Sequence, residues 1–224
     1  MPYRQQVIVP GEIYHVFNRS VAKIPIFEVK NDYKRALEVF SFYSYEKTPM
    51  SFSKYNRLSV DQKKNLYEQM RNNLDKNIEI ISFCLMPNHI HFLLKEIKIK
   101  GITNFMRKFQ DSYAKYYNTK SDRNGAVFQA RFKVIRVESD EQLLHLARYI
   151  HLNPLTTYLV KDVIDLDRYA WSSWMDYLGL REEKYLSTDL LKNHFPSLES
   201  FKKFTLDQAD YQRTLSRLKH LSLE

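Results

Sequence analysis

The stretch from Ile78 to Ile97 constrains the fold more than any other part of the sequence. Two apolar runs flank Pro87-Asn88, a dipeptide that favours a turn, so a β-hairpin is predicted with strands at about 78–85 and 89–96. The second strand opens with His89-Ile90-His91. Residues two apart on a strand project from the same face, so both imidazoles are predicted to point the same way. Two neutral imidazoles so placed can form half of a divalent metal site, although an isolated pair is more often part of a core.

Patterns on either side of the hairpin predict an α+β domain. The order strand, helix, hairpin, helix, strand, helix is typical of a ferredoxin-like antiparallel sheet with helices on one face, plus extra helices. The flanking predictions are a strand at 13–18, a helix capped at Asn31-Asp32 and running to about residue 45, a loop at 47–61, a helix from Ser59 through residue 73, a helix capped by Thr103 through residue 118, a strand within 127–137, a helix at 140–153 ended by Pro154, and two short helices around Pro196 within 187–224.

Composition narrows the class of partner. Lysine and arginine outnumber the acidic residues 35 to 26, which gives a net charge of +9, and the chain has 16 tyrosines and 14 phenylalanines. Such a chain suits a polyanion with stackable rings, although an ordinary basic protein is the alternative. Only 4 glycines are present, and no phosphate-binding loop occurs. Cys84 is the single cysteine, and its position in an apolar run predicts that it lies in the core. The lack of a long apolar run predicts a cytoplasmic protein without a membrane span.

The helix predicted at 140–153 supplies candidates for a reacting group. His145, Tyr149 and Asn153 follow one another at steps of four, which places them along one edge of the helix. Tyr149 could act as a nucleophile, and Asn153 could present an amide oxygen to a metal. Three tyrosines of the preceding helix are rival nucleophiles, but none has an amide four residues later. These rivals are Tyr113, Tyr116 and Tyr117.

Five stretches of the chain form an ordered set: Tyr14-His15-Val16-Phe17-Asn18-Arg19, Met86-Pro87-Asn88-His89-Ile90-His91, Gly125-Ala126-Val127-Phe128-Gln129-Ala130-Arg131-Phe132, Tyr149-Ile150-His151-Leu152-Asn153-Pro154 and Trp171-Ser172-Ser173. In this order they resemble stretches of the REP-associated tyrosine transposases, a group of the IS200-like single-tyrosine HUH transposase superfamily. The resemblance covers residues 12–180. It implies an HUH catalytic domain at 1–180 with a helical insertion at about 47–75, followed by a C-terminal helical extension at 181–224.

The resemblance implies cleavage and rejoining of single-stranded DNA in DNA transposition. Tyr149 would attack the phosphate and form a 5′-phosphotyrosine, next to Mg²⁺ or Mn²⁺ held by His89, His91 and Asn153. Insertion-sequence members carry glutamine where this chain has Asn153, so Asn153 could instead orient the phosphate. The DNA would carry a hairpin, of the REP type or from an insertion-sequence end.

Further expectations follow from the same blocks. Arg19, Gln129 and Arg131 are predicted DNA contacts, with a structural ion pair as the alternative for Arg131. His15 and His151 are expected to pack or to form hydrogen bonds. The tryptophans at 171 and 174 are expected to pack, with base stacking as the alternative. Relatives include enzymes whose tyrosine acts in a partner subunit, so a homodimer is an open expectation, as is association with the nucleoid.

Two other functions remain open at this point. The first is a non-catalytic regulator that binds nucleic acid and retains the fold, which would bind DNA without cutting it. The second is a phosphodiesterase that acts on a small nucleotide, although the sequence has no motif of its own for that activity.

Overall fold

The computed structural model describes residues 7–73, 75–207 and 209. Its strands are β1 (Ile13–Arg19), β2 (Ile78–Met86), β3 (His89–Glu96) and β4 (Lys133–Arg136). Its helices are α1 (Lys30–Tyr43), α2 (Phe52–Tyr55), α3 (Val60–Asn73), α4 (Gly101–Lys120), α5 (Asp140–Thr156), α6 (Val163–Asp167), α7 (Trp174–Tyr177), α8 (Asp189–Lys192) and α9 (Leu198–Leu206), with a 3-10 turn at Val21–Lys23.

The strands form one sheet in the order β2-β3-β1-β4. Strands β1 and β4 pair antiparallel, with Tyr14 opposite Arg136 and Phe17 opposite Lys133. Backbone hydrogen bonds tie both ends of β1 to β3: the Glu96 N–H donates to the Glu12 carbonyl at 3.0 Å, and the Ser20 N–H donates to the Asn88 carbonyl at 2.9 Å. With α1 between β1 and β2, and α4 between β3 and β4, this is the ferredoxin-like arrangement. The predicted α+β fold with an antiparallel sheet is confirmed.

The described residues divide into two compact units, drawn from Met1–Glu79, Pro87–His89 and Leu94–Arg136 in the first and from Ile80–Met86, Ile90–Leu93 and Val137–Glu224 in the second. The hairpin contributes residues to both. The core of the first unit is aromatic and includes Phe40, Phe109 and Tyr113, all of them fully buried. The core of the second includes Ile150, Trp174 and Tyr177. The predicted domain boundary at residue 180 stays a prediction.

Helices α1 and α4 begin earlier than the sequence predicted. Helix α1 begins after Val29, and the Asp32 carboxylate accepts from the N–H groups of Glu28 at 3.0 Å and Val29 at 3.1 Å. Helix α4 begins at Gly101, two residues before Thr103, and the Glu96 carboxylate at the end of β3 accepts from the Gly101 N–H at 2.9 Å. A charged oxygen at a helix N-terminus satisfies N–H groups that would otherwise lack partners.

Glycine is required at position 101 by a close approach of the backbone. A Cβ atom there would lie 2.2 Å from the Asn77 carbonyl oxygen, far inside van der Waals contact. The turn between β3 and α4 is therefore closed by Asn77, which also accepts through its carbonyl from the N–H groups of Ile97 and Lys98 at 3.1 Å each.

Two further predictions differ from the structure. Residues 47–61 are not wholly a loop, because Ser51 caps the short helix α2 and Phe52 is buried against Phe42, with ring centroids 5.5 Å apart. Helix α5 does not end before Pro154 but continues to Thr156. The helices around Pro196 are present as α8 and α9, and the rest of that predicted extension, 208 and 210–224, lies outside the described residues.

Candidate active site

Helix α5 places one tyrosine at its surface and one amide in its interior. Ser139 caps the helix by accepting from the Gln142 N–H at 3.2 Å, and apolar Leu143 and Ile150 are buried. Tyr149, next to Ile150, lies off this buried face and is 39% exposed. Asn153, one turn later, is buried. The predicted step of four therefore holds in the helix, although Tyr149 and Asn153 differ in burial.

The side chain of Tyr149 meets His91 of β3 within the second unit. The two rings are perpendicular, with centroids 5.5 Å apart. His91 is buried, and Tyr149 covers it from the solvent-exposed side of α5. The structure thus brings together the predicted nucleophile and one predicted metal ligand.

The Asn153 amide is oriented by its own helix. Its Nδ2 donates to the Tyr149 backbone carbonyl at 3.3 Å. This hydrogen bond leaves the amide oxygen, the only atom of the group that binds a metal, for other partners. His145, earlier on the same edge, lies 3.8 Å from the Glu141 carboxylate and packs near Phe204.

A buried histidine and a serine fix α5 to strand β2. His151 Nε2 lies 2.9 Å from Ser173 Oγ, and the same oxygen accepts from the Phe83 N–H at 3.0 Å. The Ser173 N–H donates to the Phe83 carbonyl, also at 3.0 Å. Burial lowers the pKa of His151 to about 3, so the ring is neutral at pH 7. These residues set the position of Tyr149 relative to β3, which continues directly from β2.

Ser173 holds α5 to β2, a role that the sequence did not predict. The Trp171-Ser172-Ser173 block lies along β2, with the Leu85 N–H donating to the Trp171 carbonyl at 2.8 Å. Two adjacent serines after a tryptophan, in a chain with a histidine on α5, are the only signal for this contact in the sequence. Trp174 is fully buried, as predicted, with its Nε1 donating to Asp167 at 2.7 Å.

His89 belongs to the first unit and has its ring orientation set by Asn88. The Asn88 Nδ2 donates to the Lys23 carbonyl at 2.9 Å, which turns its Oδ1 toward His89 Nδ1 at 2.7 Å. An amide oxygen only accepts, so Nδ1 carries the proton and Nε2 presents a lone pair. Burial, together with the positive charge of Arg19, lowers the pKa of His89 to about 4. His89 is therefore a neutral imidazole at pH 7 with Nε2 in the form that binds metals.

The predicted DNA contacts Arg19 and Gln129 are joined through the backbone, whereas Arg131 is exposed. The Gln129 N–H donates to the Arg19 carbonyl at 2.8 Å, and Asn18 Nδ2 donates to the Gln129 carbonyl at 3.0 Å. Since Arg19 also acts on His89 electrostatically, the structure joins Arg19, Gln129 and His89 in the first unit. Arg131 is exposed. His15, by contrast, is buried and stacks on Phe17 with centroids 4.7 Å apart, so it packs as predicted.

The predicted metal ligands combine nitrogen and oxygen donors. Among the residues that the structure describes, no group of three or more histidine, cysteine, aspartate or glutamate side chains could hold a metal. The predicted ligands are instead two imidazoles, at positions 89 and 91 of one strand, and an amide oxygen. The Asn88 hydrogen bond fixes the orientation of the His89 ring. Imidazole nitrogens and an amide oxygen are donor types that a divalent cation can bind.

The rival tyrosines of α4 are engaged elsewhere in the first unit. Tyr113 donates to the Ile26 carbonyl at 2.5 Å, Tyr117 to the Pro25 carbonyl at 3.0 Å, and Tyr116 to Asp32 at 2.8 Å. Burial, reinforced by that bond to the carboxylate, raises the pKa of Tyr116 to about 12. Burial also raises the pKa of Tyr113. These hydroxyls hold the fold together and are poor nucleophiles.

Part of the chain is similar to a known protein family. Residues 50–153 match the family model described as IS200-like transposase. This segment runs from α2 through the hairpin to α5 and contains His89, His91, Tyr149 and Asn153. The comparison with curated proteins found no significant match.

Two solved structures are similar to this chain. One is a REP-associated tyrosine transposase bound to a REP hairpin, which is 13% identical and aligns with a TM-score of 0.54 over 85% of this chain and 93% of that one. At this identity the likeness shows a shared fold. The other, a candidate transposase from Deinococcus radiodurans, is 12% identical over 66% of this chain and 95% of its own, with a TM-score of 0.37. No helix among the described residues is long and apolar enough to cross a membrane.

Proposed function

We propose that this chain cuts and rejoins single-stranded DNA beside hairpins, with Tyr149 as the nucleophile. The observation that carries the proposal is the perpendicular packing of Tyr149 on His91, with ring centroids 5.5 Å apart, on an exposed edge of α5. The hydroxyls of the α4 tyrosines donate to backbone carbonyls and to Asp32 inside the first unit, whereas Tyr149 is 39% exposed, which favours Tyr149 as the nucleophile. The match of residues 50–153 to the IS200-like transposase model supports the reaction class.

The proposed step exchanges one phosphodiester for another. The phenolic oxygen of Tyr149 attacks the phosphorus and loses its proton to water, and the bond from phosphorus to the 3′ oxygen breaks. The 5′ phosphate stays on Tyr149, while the other strand takes up a proton and ends in a free 3′-hydroxyl. Reversal by a 3′-hydroxyl rejoins DNA without a nucleotide cofactor. That matches a chain with 4 glycines and no phosphate-binding loop.

His89, His91 and Asn153 are the residues proposed to hold Mg²⁺ or Mn²⁺. A bound cation would polarise the phosphate and offset the charge that develops on its oxygens. The Asn88 hydrogen bond supports this role for His89, because it fixes the tautomer whose Nε2 can bind a metal. The bond from Asn153 to the Tyr149 carbonyl supports a role in orienting that same turn of the helix.

The proposed substrate is a DNA hairpin with single-stranded flanks, processed in DNA transposition. The net charge of +9 favours a polyanion, and the solved relative of similar fold is a complex with a REP hairpin. Arg19 and Gln129 are the proposed DNA contacts nearest His89, joined to each other through the backbone. Exposed Arg131 follows on the same segment.

The proposal is tested by trapping the covalent complex. The protein is incubated with labelled single-stranded hairpins and Mn²⁺, and the adduct is resolved by denaturing electrophoresis and mapped by peptide mass. Tyr149→Phe should bind the hairpin normally and lose adduct formation by a factor on the order of 10³ or more. Tyr158→Phe, which alters another half-exposed tyrosine, is the matched control and should react like the natural chain.

Three outcomes would contradict the proposal. An adduct that survives in Tyr149→Phe would show that another residue is the nucleophile. Hairpin binding without an adduct, with Mn²⁺ present, would favour a non-catalytic regulator. Adduct formation that withstands exhaustive chelation would remove the metal from the proposal.

A further inference from the structure

A cleft of about 420 Å³ lies in the first unit between α1, α2 and α4. Four cationic side chains line it: Arg35 from α1, Arg57 just after α2, and Lys115 and Lys120 from α4. None of the described residues that line the cleft is acidic. Its volume is in the range of known ligand pockets, and its charge selects for an anion.

Only one of these four cations is neutralised within the cleft. Lys120 pairs with the buried Asp32 carboxylate at 2.8 Å. Arg35, Arg57 and Lys115 form no ion pair with any carboxylate among the described residues. Arg57 and Lys115 are exposed. The cleft therefore carries uncompensated positive charge at three points.

Arg35 is held in place by aromatic rings. Its guanidinium carbon lies 4.9 Å from the centroid of Tyr116 and 5.2 Å from that of Phe52. Both rings are fixed in turn, since Phe52 is buried and Tyr116 donates to Asp32. A guanidinium oriented by packing keeps its planar fork of donors for an outside acceptor, and that fork matches two oxygens of a phosphate.

Neutral donors extend the cleft along α4. The hydroxyls of Ser112 and Thr119 flank Lys115 on the lining face of the helix. Seven residues separate the two hydroxyls, which corresponds to about 10 Å along a helix axis. That is the rise of roughly three nucleotides on one strand of B-DNA. A row of donors this long suits a chain of anions better than a single one.

We propose that this cleft holds the sugar–phosphate backbone of a DNA strand through Arg35, Arg57 and Lys115, none of which belongs to the candidate active site. The identity of the polyanion as DNA rests on the proposed function. The cleft adds affinity for the bound strand, and it takes no part in the chemical step. Part of the segment predicted as a surface insertion, around α2, therefore has a function as one wall of a binding surface.

The test compares two double variants of equal charge. Arg57→Glu with Lys115→Glu alters the cleft, and Lys34→Glu with Lys64→Glu makes the same change at exposed positions of α1 and α3 outside it. Dissociation constants for a labelled hairpin are measured over a range of salt concentrations. Relative to the control, the cleft variant should bind roughly tenfold more weakly, and the slope of log K against log salt should fall by about 2. Arg35→Lys keeps the charge but not the planar fork and should lose affinity to a smaller extent.

Four outcomes decide the matter. Equal losses in the two double variants would overturn the proposal, because net charge alone would then explain binding. Saturable binding of inorganic phosphate that the cleft variant abolishes, with hairpin affinity unchanged, would assign the cleft to a free anion and overturn it. Loss of poly-glutamate binding with unchanged hairpin affinity would assign it to an acidic protein. A selective loss of hairpin affinity in the cleft variant would support it.

Measuring adduct formation at a saturating protein concentration distinguishes a failure of the cleft proposal from a failure of the proposed function. If the natural chain forms no adduct but the cleft variant still loses affinity selectively, the proposed function fails and the cleft stands. If both double variants form the adduct normally and bind the hairpin equally well, the cleft proposal fails and the proposed function stands.

Discussion

Helices α4 and α5 both carry tyrosines, yet they use them in opposite ways. On α4 the hydroxyls of Tyr113 and Tyr117 donate to the carbonyls of Ile26 and Pro25, and so fasten the helix to the segment before α1. On α5 the fastening residue is His151, which reaches β2 through Ser173. Because a histidine does the structural work on α5, Tyr149 is left at the surface beside His91.

The difference shows what distinguishes a candidate nucleophile from a structural tyrosine. A buried phenol bonded to a carbonyl stabilises the fold, and for Tyr113 burial also raises the pKa, which makes this phenol hard to ionise. A phenol that packs edge-on against an imidazole and is 39% exposed is open to a substrate. Residue type and position on a helix are shared by both classes, so the exposure and the packing of each ring separate them.

The strongest test of this comparison asks whether Tyr149 works with the histidine of its own chain. A Tyr149→Phe chain is mixed with a His91→Ala chain, and adduct formation is measured after the chains have been allowed to exchange. Since Tyr149 and His91 meet within one chain, the mixture should show no activity above the sum of its parts. Recovery toward a quarter or more of the natural rate would mean that the tyrosine acts in a partner subunit.

Removing a hydroxyl from α4 should lower stability and leave activity unchanged, which is the reverse of the result expected for Tyr149→Phe. Tyr113→Phe leaves the buried Ile26 carbonyl without its donor, which costs about 1–3 kcal/mol in the free energy of unfolding. Urea denaturation measures the loss, and the adduct assay should give the natural rate for the folded fraction. Tyr149→Phe, in contrast, should change the unfolding free energy by no more than about 0.5 kcal/mol. A large loss of stability in Tyr149→Phe would erase the distinction between the two helices.

Sequence patterns sufficed where the determining residues are neighbours. The hairpin around Pro87-Asn88, the strand order and the Ser139 cap of α5 all follow from local periodicity and turn chemistry, and the structure has them. The His-x-His pattern and the step of four from Tyr149 to Asn153 are also local. The placement of His89 and His91 on one strand, and of Tyr149 and Asn153 on one helix, was therefore predictable.

The missed features depend on contacts that no periodic pattern in the sequence shows. Glu96, at the end of β3 and five residues before Gly101, caps α4, and the burial of Phe52 against Phe42 stabilises a short helix in a segment that lacks periodicity. Pro154 was expected to stop α5, but the helix completes one more turn, in which the Thr157 N–H donates to the Asn153 carbonyl at 3.1 Å. Ser173 and the cleft around Arg35 each require two or three separate segments to meet. No pattern within one segment reveals them.

The last expected effect concerns His151, and it depends on pH. His151 is fully buried, its Nδ1 has no hydrogen-bond partner among the described residues, and aromatic rings including Tyr177, at 5.0 Å, surround it. Burial lowers its pKa from 6.5 to about 3. Between these values the unfolded chain binds a proton that the folded chain excludes. The stability contributed by the neutral ring is therefore present above pH 6.5 and is lost as the pH falls toward 3, by at most about 1.4 kcal/mol per pH unit.

His151→Gln removes this titration but keeps a side chain that can hydrogen-bond to Ser173. Urea denaturation at pH 7.5, 6 and 4.5 should show a shallower loss of stability in the variant than in the natural chain. His15 and His89, whose pKa values burial also lowers to about 4, titrate in both proteins and cancel in the difference. Equal slopes in the two proteins would mean that His151 is not the buried anchor that leaves Tyr149 available, and the contrast between α4 and α5 would then need another cause.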